Sequence, residues 1–92
     1  MEKTKNRYYF YGHAATPNWY TFSTDTLRKA IKRHNTFTVL YVFTGVCTEA
    51  SRKEDAEENF RDGENLIQCK EPACVLKARR EYFDEWRKGL VL

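Results

Sequence analysis

Apolar and polar residues alternate through three early runs, Arg7 to Gly12, Asn18 to Ser23 and Thr36 to Thr44, and this two-residue period predicts β-strands. Aromatic and β-branched side chains, which suit a pleated and half-buried surface, fill all three. The first two runs are expected to pair as a hairpin. Their connection, His13 to Pro17, exceeds a tight turn, and Pro17, which has no amide hydrogen to donate, belongs outside the strand. The third run is apolar on both sides, with Phe37, Val39, Tyr41 and Phe43 on one and Thr38, Leu40 and Val42 on the other, as a central strand would be.

Between the second and third runs the period changes. From about Asp25 to His34, Leu27, Ala30, Ile31 and His34 recur at the spacing of one helix face, with Thr24 as cap and Asp25 complementing the positive end of the dipole. Asn35 is the expected left-handed stop. Thr48 to Asp62 offers only Ala50, Ala56 and Phe60 as a thin apolar stripe among charges, so it is a surface helix or an extended acidic loop, with a short helix ending near Asp62-Gly63 favoured. Glu64 to Lys70 alternates as a fourth strand. The last helix, about Pro72 to Lys88, is the clearest: Pro suits the first turn, Val75, Leu76, Arg79, Tyr82, Phe83 and Trp86 keep the 3.6-residue period, and Gly89 ends it.

The elements predict an α+β fold, a four-stranded antiparallel sheet with two helices packed on one face in ββαβ(α)βα order, whose opposite face is open. Ten of the fourteen aromatic residues precede residue 44. That is more rings than a core on one side of a sheet absorbs, so Tyr9, Tyr11 and Trp19 are expected on the open face. The assignment depends on register, because a one-residue slip exchanges inner and outer side chains along a strand.

A length of 92 residues permits one domain over 1–92, with 1–6 flexible and 48–63 as an acidic excursion. Near-average apolar content argues against disorder, and no apolar run reaches the length of a membrane span. The polar start of the chain has no signal-like stretch, which predicts a cytoplasmic protein with reduced thiols.

The net charge of +3 is unevenly spread. Residues 1–48 carry seven Lys/Arg against two Asp/Glu, residues 49–64 carry three against seven, and residues 65–92 carry six against four. Such segregation steers association with charged partners, and carboxylates are too few for a nucleic-acid mimic.

Catalytic signals are thin. Cys47 as nucleophile with His13 or His34 as base lacks an orienting third residue, and a buried structural thiol is the commoner reading. Cys69 and Cys74, with Cys47 and one histidine, would complete a zinc set, but one Cys pair at this spacing is far weaker than two paired knuckles. Glu54, Asp55, Glu57 and Glu58 lack the ligand alternation and turn glycine of a calcium loop. No cofactor, metal or catalytic residue is therefore assigned.

For binding, Arg28, Lys29, Lys32 and Arg33 form a basic cluster on the first helix, and Arg79, Arg80, Arg87 and Lys88 form another on the last. With Tyr9, Tyr11 and Trp19 as stacking platforms these are ingredients of nucleic-acid recognition. The element order nevertheless differs from that of an RNA-recognition motif, and no GxxG loop is present. Protein binding needs fewer assumptions, since exposed Tyr and Trp beside Arg concentrate binding energy at interfaces.

In general character the chain resembles small single-domain proteins of bacteriophages and mobile elements: short, charge-segregated and aromatic-rich. Anti-CRISPR proteins among them cover a functional surface of a host complex. The likeness is one of style, so it carries over no site residues. It implies a non-enzymatic inhibitor or adaptor that occludes a larger protein or ribonucleoprotein complex, attracted through Arg28, Lys29, Lys32 and Arg33 and held through Tyr9, Tyr11 and Trp19. The alternative is a small RNA- or DNA-binding domain using the basic helix and an aromatic sheet face.

Overall fold

The computed structural model describes residues 5–34 and 36–90. Four antiparallel strands form its sheet in the order β2-β1-β3-β4. They are β1 (Asn6–His13), β2 (Trp19–Ser23), β3 (Tyr41–Ala50) and β4 (Ile67–Gln68). The helices are α1 (Thr24–Arg33), α2 (Phe37–Leu40), α3 (Lys53–Asp62) and α4 (Ala73–Leu90). The α+β class and the four-stranded antiparallel sheet are those that the sequence predicts. Of the segment 1–6 that the sequence suggests is flexible, residues 1–4 lie outside the described residues, as does the expected stop at Asn35, and Asn6 already belongs to β1.

The hairpin forms as expected, with Tyr8 opposite Ser23 and Gly12 opposite Trp19. β1 also pairs with β3 along its other edge, which makes it an inner strand. The register of that second pairing shifts between Tyr9 and Tyr11. Gly45 sits in the extra segment of β3 with φ +89, a conformation that glycine adopts without strain. Here Thr44 Oγ1 donates to the Phe10 carbonyl at 2.8 Å, satisfying an acceptor beside the irregularity.

The run expected as one strand from Thr36 to Thr44 divides. Phe37–Leu40 is a helical turn, and the strand begins at Tyr41 and continues to Ala50. Adjacent Phe37 and Thr38 are both buried while Val39 and Leu40 are both exposed, which no two-faced strand can achieve. The turn makes the corner that returns the chain against β1, and Ala14 N–H donates to the Leu40 carbonyl at 2.7 Å to fix it.

Helices α1 and α4, with α2, cover one sheet face. Leu27, Phe37 and Val75 meet Tyr11 there in a buried cluster, with Ala30, Ile31 and Cys74 packed around it. The other face is not open. Helix α3 lies across it, and Tyr8, Phe10, Ala50 and Ala56 form a second cluster with Val46, Phe60 and Leu66. Phe10 stacks on Phe60 with ring centroids 4.3 Å apart. The thin stripe of α3 suffices because the sheet brings large rings to meet it, and the aromatic surplus is spent on two cores.

Local signals set the element ends. Ser23, one residue before the expected cap, accepts from the Thr26 amide at 3.3 Å at the start of α1. Gly63, with φ +69, caps α3 where the sequence places its end. The fourth strand is shorter than expected, because the preceding loop is tied to β3 by side chains: buried Thr48 donates to the Asn65 carbonyl at 2.7 Å and accepts from Asn59 at 3.1 Å. Pro72 immediately precedes α4, and its carbonyl accepts from Val75 and Leu76.

Among the described residues no helix is long and apolar enough to cross a membrane. The outline is elongated, 57 × 29 × 21 Å. Its radius of gyration, 14.8 Å, exceeds the roughly 12 Å expected of a compact chain this long. Helix α4 accounts for much of this, spanning about 27 Å with residues 83–89 exposed.

Candidate interaction surface

Burial of Leu27 turns the charged positions of α1 outward, and Arg28, Lys29, Lys32 and Arg33 are all exposed. Arg28 lies 4.0 Å from Asp25, one turn earlier. Among the described residues, Lys29, Lys32 and Arg33 make no ion pair. Lys32 and Arg33 also occupy the last turn, where positive charge is favoured by the helix dipole.

Lys29 and Arg33 share one row of the helix and border a groove of about 350 Å³. Tyr20 and Phe22 from β2, Phe37 from α2 and Tyr41 from β3 wall it. The rings brace one another: Phe37 and Tyr41 are stacked at 4.7 Å, and Tyr20 meets Tyr41 edge-on at 5.3 Å. His13 adds an edge contact to Tyr41 at 5.3 Å. Two cations beside a rigid aromatic wall can hold an anionic group while its apolar or planar part rests on the rings.

The expected aromatic contacts fare differently. Tyr11 is 0% exposed and offers no surface to a partner. Tyr9 is half-buried and packs on Phe43, 6.1 Å away. Trp19, 37% exposed, leans on Phe60 at 4.7 Å on the α3 side, away from the basic row. The rings that do join Lys29 and Arg33 are Tyr20, Phe22 and Tyr41. Tyr20 and Phe22 lie opposite Tyr11 and Tyr9 in the hairpin, so the alternation already puts them on that face. They retain exposure because β2 is an edge strand.

The second basic cluster is not uniform. Arg79 pairs with Glu71 through both guanidinium nitrogens, and Tyr11 donates to the same carboxylate at 3.0 Å. Burial first, and then the Glu71 charge and hydrogen bond, raise the Tyr11 hydroxyl above the usual tyrosine range. The Arg79 guanidinium is raised chiefly by its hydrogen bond to Glu71. Arg79 is therefore engaged with Glu71, and Glu71 in turn links it to Tyr11 of β1.

Two of the three thiols, Cys47 and Cys69, are in settings that disfavour the thiolate or its access. Cys47 is fully buried. The Cys69 thiol is pushed up to about 12, first by burial and then by its hydrogen bond to Cys47, so it stays protonated at neutral pH. Among the described residues, no three His, Cys, Asp or Glu side chains converge as a metal site. No family model matches the chain, and no curated protein or solved structure matches it.

Proposed function

We propose that this chain is a non-enzymatic binding protein that occludes a surface of a larger protein or nucleoprotein complex, as the small inhibitors of phages and mobile elements do. The observation that carries the reading is the row of Lys29 and Arg33, outside any ion pair among the described residues, beside the groove walled by Tyr20, Phe22 and Tyr41. Exposed cations attract an anionic partner, and the adjoining rings supply contact area of the kind that anchors interfaces. Coverage of both sheet faces favours a protein contact over base stacking on the sheet, because Tyr11 is enclosed and Tyr9 partly so.

Affinity capture from a bacterial lysate, followed by salt titration against nonspecific nucleic acid, tests this reading. A protein or nucleoprotein retained by the wild-type chain and lost when Lys29 and Arg33 are replaced supports it. Micromolar or tighter binding to bare nucleic acid at physiological salt, with a steep salt dependence, would transfer the role to RNA or DNA recognition.

A further inference from the structure

Strand β2 pairs with β1 alone, so its outer edge is free. The ladder decides what that edge offers. His13 N–H donates to the Asn18 carbonyl at 3.3 Å, and antiparallel pairs alternate, so Tyr11 with Tyr20 and Tyr9 with Phe22 are the pairs that exchange hydrogen bonds. The Phe10 carbonyl, turned from β2 toward Thr44, agrees with this assignment. The amides and carbonyls of Trp19 and Thr21 therefore point away from β1, and they have no hydrogen-bond partner among the described residues. Native edges are commonly blunted by charge, proline or a bulge, and β2 has none of these: Trp19–Ser23 is five residues long, uncharged and in unbroken register with β1.

Grooves flank this edge on both faces of the sheet. The groove of Lys29 and Arg33 lies on the α1 side. Another, of about 280 Å³, lies on the α3 side between β2 and the row of Lys53, Glu57 and Arg61. Four consecutive residues, Trp19 to Phe22, line it, and successive side chains of a strand leave opposite faces, so the wall that they share is the edge itself. The Thr21 hydroxyl is enclosed and takes no part.

We propose that an extended, acidic segment of a partner protein adds to the sheet along β2, between α1 and α3. Main-chain hydrogen bonds to Trp19 and Thr21 hold it, and its alternate side chains enter the two grooves. Charge selects the segment. Lys29 and Arg33 meet one face of the added strand, and on the other Lys53 engages Glu57 at 3.9 Å, which leaves Arg61 outside any ion pair among the described residues. Both faces thus present positive charge to the incoming chain. A second copy of this protein fits less well, because antiparallel pairing of β2 with itself sets two basic rows of α1 on the same face across the seam. The proposal rests on the binding role above and specifies what the partner presents.

The probe is an acetylated, amidated heptapeptide, Val-Glu-Glu-Val-Glu-Glu-Val, which carries carboxylates on both faces when extended. It is titrated into the full chain and followed by NMR at the backbone amides of Trp19 and Thr21. Saturable shifts and slowed hydrogen exchange are expected at both. Two further versions are N-methylated at alternate residues: the one blocked on the side facing β2 should bind about tenfold more weakly, and the other about as well as the parent. Lysine in place of glutamate should weaken binding about tenfold, and Arg61→Gln about threefold without altering the melting temperature. Equal losses from both methylation patterns, or no shift at these amides at millimolar peptide, would overturn the proposal. Concentration-dependent shifts at the same amides without peptide would also overturn it and assign the edge to a second copy. Because the binding role is tested by capture through Lys29 and Arg33, and strand addition by methylation of the peptide, either can fail while the other stands.

Discussion

The hydroxyl of Tyr11 donates to the carboxylate of Glu71 across 3.0 Å, although 60 positions separate the two residues along the chain. Arg79 holds the same carboxylate from α4. The inner strand and the last helix are thereby joined by one polar cluster inside an otherwise apolar layer. Such a cluster stabilises only when every member is satisfied.

Tyr11→Phe should therefore lower unfolding free energy by about 1–2 kcal/mol, since Glu71 loses one donor but keeps Arg79. The same variant changes the alkaline limb of the stability curve. The folded state raises the Tyr11 hydroxyl above its ordinary value of 10.0, so this contribution is complete below pH 10 and is lost as pH rises further, when the unfolded chain gives up a proton that the folded chain keeps. Its slope is about 1.4 kcal/mol per pH unit. Urea melts at pH 9 and 11 should show a smaller fall for the phenylalanine variant than for wild type.

Phe10→Ala should cost about 3–5 kcal/mol, the usual range for deleting a buried phenylalanine. The residue is fully enclosed between the sheet and α3. A loss below about 1 kcal/mol, comparable with surface substitutions, would mean that α3 does not hold a core on that face.

Gly63→Ala should cost about 1 kcal/mol or somewhat more. Nothing within 4 Å would touch an added Cβ, so the cost comes from the left-handed backbone at φ +69 and not from crowding. Thermal unfolding of the variant, compared with Gly12→Ala at ordinary φ and equally open space, separates the two causes.

Lys29→Ala with Arg33→Ala should leave stability within about 1 kcal/mol of wild type, as both side chains are exposed. Partner retention from lysate should fall at least tenfold. A double variant that captures as well as wild type would remove the basic row from the interface.

Much of the architecture was legible because it is written in periodicity. The hairpin, α1, the α3 terminus at Gly63 and the start and packed face of α4 follow from local spacing and end signals, whereas α4 continues through Gly89, the expected stop, to Leu90, because this glycine keeps an ordinary negative-φ backbone. Helix α2 did not, because a single turn over Phe37–Leu40 is shorter than either period needs to declare itself. The site was only half legible. Lys29 and Arg33 are exposed because Leu27 fixes the facing of α1, a local matter. Whether Tyr11 or Tyr20 keeps a wet face depends on which strand is inner and which is at the edge, and that is decided by the distant pairing of β1 with β3. The helix across the second face was hidden for a related reason: Ala56 and Phe60 look too sparse until Phe10 and Trp19 are brought to them.

The exposed tip of α4 has one more consequence. Residues 83–89 are solvent-exposed, so the sheet places few demands on what they are. Substitutions accumulate most cheaply in such a segment, and selection there answers to whatever the tip touches. Variation among descendants of this chain should concentrate at this end while the two cores stay fixed, allowing one scaffold to be retargeted without being rebuilt.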